Sequence, residues 1–186
     1  NEFHIDIDFD LERLVSSSPS PLNRLGGRKQ PLKVIYVSKR SGYREITFFD
    51  LTSKVGNLVF FKRNLIRGSI NSGNFVADNA LFIGGKIPHA DVDGWRHFFD
   101  KRKKEGMIKS FPVTVLVDTQ IDRVDIYGNA YENVKVKGQF LRNEGLFSVD
   151  SEKVAGKIAF SGYGSDDAKL SVHMTRLALR RFSPNQ

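Results

Sequence analysis

The stretch that decides the fold is Asp93-Gly-Trp-Arg-His-Phe-Phe-Asp-Lys-Arg-Lys-Lys-Glu105, followed after five residues by Phe111-Pro-Val-Thr-Val-Leu-Val-Asp118. Trp95, Phe98 and Phe99 follow the spacing i, i+3, i+4, so they share one face of a helix. The β-branched run after them is typical of a buried strand. The stretch therefore predicts one short helix, at about residues 93–105, inserted before a central strand.

Alternating or β-branched runs on both sides of this helix predict short strands. The runs lie at residues 3–9, 33–38, 43–49, 57–63, 80–83, 122–127, 132–137, 145–149 and 156–161. Residues 168–182 fit either a helix or a strand with one bulge, and the strand is favoured. The number and spacing of the runs predict a mainly-β fold, an antiparallel β-sandwich or barrel with one inserted helix, with α+β as the alternative.

The charge and composition divide the chain into three parts. Residues 1–15 form an acidic arm, with five acidic residues against one arginine. Residues 16–31 are rich in Ser, Pro and Gly and predict a flexible linker, and residues 32–186 predict a single β-rich domain. A strand on such a linker suits exchange between copies, so we expect a homo-oligomer that forms through the N-terminal arm.

A net charge of +8 favours an anionic partner, which is nucleic acid, an acidic protein or an anionic membrane surface. No apolar run reaches the roughly 20 residues that a transmembrane helix needs. The chain has no cysteine, which excludes disulfides and thiolate zinc sites. The absence of cysteine, of an Asn-x-Ser/Thr sequon and of a visible signal peptide favours an intracellular location.

The basic residues fall at predicted loop tips, helix ends and outward strand positions, and several adjoin the aromatic residues Phe61, Tyr131 and Phe182. Lysine and arginine hold phosphates, and aromatic rings stack on bases, which is how proteins bind single strands with little sequence preference. The predicted nucleic-acid-binding residues are Lys39, Arg40, Lys62, Arg63, Lys101, Arg102, Lys103, Lys104, Lys135, Lys137, Arg180 and Arg181.

A cluster of His89, Asp91, Asp93 and His97 is the best candidate for a metal site, because imidazole and carboxylate groups are good metal ligands. The alternative needs no ligand. An aspartate just before a helix accepts hydrogen bonds from the first-turn N–H groups, so Asp91 or Asp93 is expected as a helix cap. Capping is the favoured interpretation, and no metal or other cofactor is predicted.

The sequence favours a non-catalytic protein, because the hydrolase GxSxG, the phosphate loop, the dinucleotide-binding GxGxxG and HExxH are all missing. We expect a basic, self-assembling domain that binds RNA or single strands. In build, with a charged arm on a Ser/Pro linker, the chain resembles small viral structural proteins, although no motif specifies a family. The alternatives are a protein-interaction or matrix-like scaffold at an anionic membrane, and a metal-dependent enzyme around the histidine–aspartate cluster.

Overall fold

The computed structural model describes residues 2–10, 31–50, 52–72, 77–95, 97, 113–162 and 167–178, which form eleven strands and one short helical segment. The strands are β1 (Glu2–Asp10), β2 (Pro31–Lys39), β3 (Tyr43–Asp50), β4 (Ser53–Phe61), β5 (Asn64–Ile70), β6 (Ala80–Asp91), β7 (Thr114–Ile126), β8 (Asn129–Leu141), β9 (Glu144–Asp150), β10 (Val154–Ser161) and β11 (Lys169–Leu177). They build one sheet in chain order. The predicted mainly-β fold with one short helix is confirmed.

The finer architecture differs from the expected antiparallel sandwich or barrel. In the described part of the chain the strands make a single hydrogen-bonded sheet, and β1 and β11 do not pair to close it. The β5–β6 and β6–β7 pairs are parallel. Strands that are adjacent both in sequence and in the sheet can be parallel only if the chain returns along the sheet between them, so it does so between β5 and β6 and again between β6 and β7.

The helical segment comprises residues 92–95 and 97 and follows β6 directly. It begins one residue before the predicted start at residue 93. Arg96 and residues 98–105, which complete the predicted helix, lie outside the described residues. No helix in the described ranges is long and apolar enough to cross a membrane.

One row of register partners crosses the whole sheet, and every member of the row is apolar or glycine. The row runs Ile7, Val34, Phe48, Gly56, Ile70, Ile83, Val117, Gly138, Phe147, Ile158, Val172. Because side chains alternate along a strand, this row defines an apolar face. The next row, from Asp6 on β1 to Ser171 on β11, lies on the other side and combines polar and apolar residues, so we call that side the mixed face.

The core lies against the apolar face in two neighbouring clusters. One is built on Leu81, Val113 and Val115, and the other on residues of β7 and β8 that include Ile121 and Val134. All of these side chains are less than a tenth exposed. Burial of apolar area stabilises a fold by roughly 25 cal/mol per Å², so these clusters stabilise the sheet.

The alternation of side chains between the two faces shifts by one residue in three neighbouring strands, at positions that lie side by side in the sheet. Ile121 and Val124 are three residues apart on β7 but contact the same core cluster. The slip falls at Pro88 on β6, at Asp122 on β7 and at Asn133 on β8, where Asn133 has a positive φ of 52°. It turns the end of β6 so that His89 lies on the mixed face beside β7.

The region from Gly68 to Gly85, for which the sequence predicts irregular structure around one short strand, contains the end of β5 and much of β6. The Asn71 amide donates a hydrogen bond to the Lys86 carbonyl at 2.7 Å. Gly85 has φ +77°, and a Cβ there would stand 2.5 Å from the Asn71 carbonyl oxygen. Glycine is therefore required where the crossing chain approaches β6, and the glycines mark close packing here.

A buried polar contact lies on the mixed face where β3, β4 and β5 meet. Asn57 is fully buried, and its amide donates hydrogen bonds to Glu45 Oε1 at 2.6 Å and to Thr47 Oγ1 at 2.9 Å. The neighbouring Ser69 is also fully buried and donates to the Ser72 carbonyl at 2.9 Å. These bonds tie the N-terminal strands together on the side opposite the apolar row.

We expect Asn57→Ala to lower the free energy of unfolding by about 1 kcal/mol, because the partly buried acceptors Glu45 and Thr47 lose their donor. The loss is limited because Asn57 Oδ1, which has no hydrogen-bond partner among the described residues, is removed as well. Urea denaturation would measure the loss. Asn143→Ala, in the exposed turn after β8, is the matched control and should change stability by less than about 0.5 kcal/mol. Equal effects of the two substitutions would contradict the buried contact.

Candidate nucleic-acid interface

Four of the predicted binding residues come together at one end of the sheet. Lys39 and Arg40 lie where β2 turns into β3, and Lys62 and Arg63 form the turn between β4 and β5. The Lys62 amide donates a hydrogen bond to the Gly42 carbonyl at 2.8 Å, which joins the two turns. We call Lys39, Arg40, Lys62 and Arg63 the basic tip. All four side chains are exposed.

Two aromatic rings lie directly beside the basic tip. Tyr43 and Phe61 are register partners, and their ring centroids are 5.0 Å apart at an interplanar angle of 51°. The Lys62 ammonium lies 5.5 Å from the centroid of the Phe61 ring, within the range of a cation–π contact. Tyr43 is 45% exposed, so its ring is available to a further planar group.

The positive charge of the basic tip is little neutralised. Within the described ranges, its one ion pair joins Lys39 Nζ to Glu2 at 3.9 Å, with both side chains more than half exposed. Exposed pairs of this kind contribute at most about 1 kcal/mol. Arg40, Lys62 and Arg63 form no ion pair with any described residue, so most of this charge is available to an anion.

An open groove of about 450 Å³ begins at the basic tip and continues along the sheet. Lys39 and Tyr43 line its near end, and Arg67 and Asp78 line it farther on. Arg67 and Asp78 form an ion pair at 3.0 Å across its wall. Of the basic tip, Lys39 lines the groove, and it does so beside the Tyr43 ring.

The other predicted basic residues are not part of this cluster. Lys135 and Lys137 lie on the mixed face of β8, and β6 and β7 separate β8 from the basic tip. Lys137 is paired with Asp118 at 3.1 Å, and Tyr131, which was expected to stack on bases, is 4% exposed in the core. The other predicted binding residues, Lys101, Arg102, Lys103, Lys104, Arg180 and Arg181, and the ring of Phe182, lie outside the described residues.

One exposed basic residue at the same end of the sheet, separated from the basic tip by β6 and β7, was not predicted. Arg142 is exposed in the turn between β8 and β9, at the same end of the sheet as the basic tip. Its φ of 56° marks a tight turn. The sequence could have placed Arg142 in a hairpin turn between two alternating runs, as it did for the residues Lys39-Arg-Ser-Gly42. The order of the strands was needed to show that both turns lie at the same end of the sheet.

The histidine–aspartate cluster does not converge. His89 Nε2, on β6, lies 2.7 Å from Asp125 Oδ2 on the neighbouring strand β7. Asp91 Oδ1 accepts a hydrogen bond from the Gly94 amide at 2.8 Å, so Asp91 caps the helical segment, as the favoured interpretation of the sequence predicted.

The side chains of the remaining two members of the cluster, Asp93 and His97, both contact backbone groups. The Asp93 carboxylate accepts from the Gly128 amide at 3.3 Å, and the His97 ring lies 2.7 Å from the Asp93 carbonyl oxygen. No three His, Asp or Glu side chains among the described residues are arranged to hold a metal ion.

The partner of His89, Asp125, is a carboxyl group whose pKa is lowered in the fold. Arg123 Nε donates to Asp125 Oδ1 at 2.9 Å, and His89 contacts the other oxygen. The hydrogen bond from Arg123 holds the pKa of the Asp125 carboxyl below its ordinary value, with His89 adding to the effect against partial burial. Both oxygens are engaged, so the arrangement stabilises the β6–β7 pair.

Because its pKa is lowered in the fold, Asp125 stabilises the protein above the pKa of an unfolded aspartate, and this contribution is lost as the pH falls through the lower folded value. Asp125→Asn should therefore be less stable than the parent at pH 6, by about 1 kcal/mol or less. The difference should shrink as the pH falls below about 4. Denaturant melts from pH 6 to pH 2 measure it. A difference that stays constant with pH would contradict this role, and Asp122→Asn is the neighbouring control.

Comparison of the chain with models of protein families, with curated proteins and with solved structures finds no match. The candidate function therefore depends on the residues and geometry of this chain alone.

Proposed function

We propose that this protein is a non-catalytic module that binds RNA or single-stranded nucleic acid through the basic tip. One observation supports the proposal: four exposed basic side chains from two turns come together beside the exposed Tyr43 ring. In the sequence the two pairs are more than twenty residues apart, and the pairing of β3 with β4 brings them together.

The physical argument has two parts. Lysine and arginine release counterions from phosphates, which gives affinity without sequence preference. An exposed ring beside those charges offers a surface for stacking, and each stacked base contributes about 1–3 kcal/mol. A duplex keeps its bases paired inside and cannot use the ring in this way, so the combination favours single strands.

Replacing Lys39, Arg40, Lys62 and Arg63 together by alanine should weaken binding to a labelled single-stranded RNA at least tenfold at low salt. If each of the four contacts a phosphate, the slope of log affinity against log salt should fall by about 3, at roughly 0.7 per contact. Fluorescence anisotropy at several salt concentrations measures both quantities.

The matched control removes four other exposed or partly exposed lysines, Lys54, Lys86, Lys153 and Lys157, and so changes the net charge equally. Equal loss in both variants would show that binding follows the overall charge and contradict a site at the tip. Two further variants, one lacking Lys135 and Lys137 and one lacking Lys101, Arg102, Lys103 and Lys104, measure the other predicted groups. No binding by the unaltered chain at low salt would end the proposal.

Tyr43→Leu separates stacking from charge. Leucine keeps an apolar contact with Phe61 but cannot stack on a base, so single-strand affinity should fall by about 1–3 kcal/mol. The affinity for duplex DNA in the same buffer should stay unchanged. A parallel loss for duplex DNA, or no loss for RNA, would show that the ring takes no part.

A second candidate function is a protein-interaction or scaffold module, and the exposure of large apolar side chains favours it. Phe3 is 59% exposed and Leu170 is 70% exposed, at opposite edges of the sheet. Uniformly spread charge would suit such a module, or a matrix-like protein at an anionic membrane. Four of the described basic residues meet at the tip, whereas others, such as Lys54, Lys86 and Lys153, are spread over the rest of the sheet. The resemblance in build to small viral structural proteins stays a prediction, because no contact in the structure bears on it.

A further inference from the structure

The two outer strands of the sheet each have one edge without a strand partner among the described strands. β1 pairs only with β2, and β11 pairs only with β10. Such an edge presents a row of backbone N–H and C=O groups that can pair with another chain. What these edges accept depends on the side chains that flank them.

The two edges carry opposite charge. β1 contains four acidic residues, Glu2, Asp6, Asp8 and Asp10, and no lysine or arginine. β11 contains Lys169, His173 and Arg176, and no acidic residue. Some of this charge is already paired inside the chain. Asp6 binds Lys33 at 2.7 Å, and Arg176 lies 3.8 Å from Asp150 and donates to the Ser151 carbonyl.

The charges of the two edges also lie on the same side of the sheet. The register rows place Glu2, Asp6 and Asp8 on the mixed face of β1 and Lys169 on the mixed face of β11, with the imidazole of His173, neutral in the formal charge of +8, on the same face. The apolar face continues to both edges, where Phe3 and Ile7 are 59% and 40% exposed and Leu170 and Val172 are 70% and 53% exposed.

Geometry limits how two copies can join and keep the apolar face continuous. Because β1 and β11 run in the same direction through the sheet, a copy that is simply displaced sideways pairs its β1 in parallel with the β11 of its neighbour. A twofold axis normal to the sheet instead pairs β1 with β1, or β11 with β11, in antiparallel fashion. The other orientations place the apolar face of one copy against the mixed face of the next.

Electrostatics distinguishes between these arrangements. The twofold arrangements set acid against acid or base against base, and like charges on directly opposed strands are destabilising. The parallel arrangement brings the acidic side chains of β1 beside the basic side chains of β11 and extends the apolar row from one copy to the next. Each favourable cross-strand pair contributes about 0.2–1 kcal/mol, so several act together.

We propose that the β11 edge of one copy binds the β1 edge of a second copy in parallel, so that copies join head to tail in one continuous sheet. The contact is heterologous, which leads to rings or open chains of copies and not to closed dimers. It gives the expected self-association through the N-terminal arm a specific partner surface. It goes beyond nucleic-acid binding and does not depend on it.

The lack of native cysteine allows a direct test by disulfide cross-linking. Ser171→Cys on β11 is mixed, without nucleic acid, with a differently tagged chain that carries one cysteine on β1, at Glu2, His4, Asp6 or Asp8. These four positions cover the registers that keep the faces aligned, and a disulfide needs Cα atoms within about 7 Å. Glu132→Cys, exposed in β8 away from both edges, is the control.

We expect mixed disulfide dimers of β1 and β11 variants in at least one register, and few dimers with the control. Lys169→Glu combined with His173→Glu should lower their yield several-fold while circular dichroism stays unchanged. Dimers that join only identical cysteines, or no dimers above the control, would overturn the proposal. A chain carrying both cysteines should give a ladder of oligomers. A closed monomer instead would show that β1 and β11 of one chain pair with each other. Any of these results leaves the RNA-binding measurement unaffected.

Discussion

The structure depends on the two-residue period of strand side chains, kept in register from β1 to β11. Each strand contributes an apolar residue or glycine to the row from Ile7 to Val172, and a one-residue shift of any strand would carry its apolar side chains to the other face. The slip at Pro88, Asp122 and Asn133 shows the same constraint. With strict alternation Ile121 and Val124, three residues apart, would lie on opposite faces, and the slip keeps both in one core. The neighbouring strands β6 and β8 change phase at the same level, so the pairing is kept.

Much of the sheet was predictable because its signals are local. Alternation and a glycine turn specify a hairpin within a dozen residues, and most strands outside the β5–β6 region were found in this way. The strand at residues 169–177, where a helix also fitted, pairs with β10 through one extra residue at Thr175. A bulge of this kind explains why its apolar residues change phase halfway along.

The parts that were not predicted depend on contacts between distant residues. Nothing in residues 64–70 indicates that β5 lies parallel to β6, because parallel pairing has no turn to announce it. Gly85 suggested irregular structure, whereas its conformation is set by the approach of Asn71. The same limit applies to the histidine–aspartate cluster. His89, Asp91, Asp93 and His97 are close in sequence, but the slip in the sheet turns His89 towards Asp125 on the next strand.

The candidate interface combines both kinds of information. Lys39 and Arg40 could be assigned to a turn from their own hairpin, whereas Lys62 and Arg63 were predicted at the end of a strand at residues 57–63. Only the pairing of β3 with β4 brings Lys62 against Gly42 and makes one cluster of the two pairs. The signs of charge at the sheet edges add a further argument. If edge charges served only to keep copies apart, a basic β1 would act as well as an acidic one, and lysine is the usual protective residue. In a chain of net charge +8, an acidic β1 and a basic β11 do not repel each other when the edges of two copies meet. Opposite signs disfavour the twofold pairings of identical edges and favour the pairing of unlike edges, as expected where one edge recognises the other.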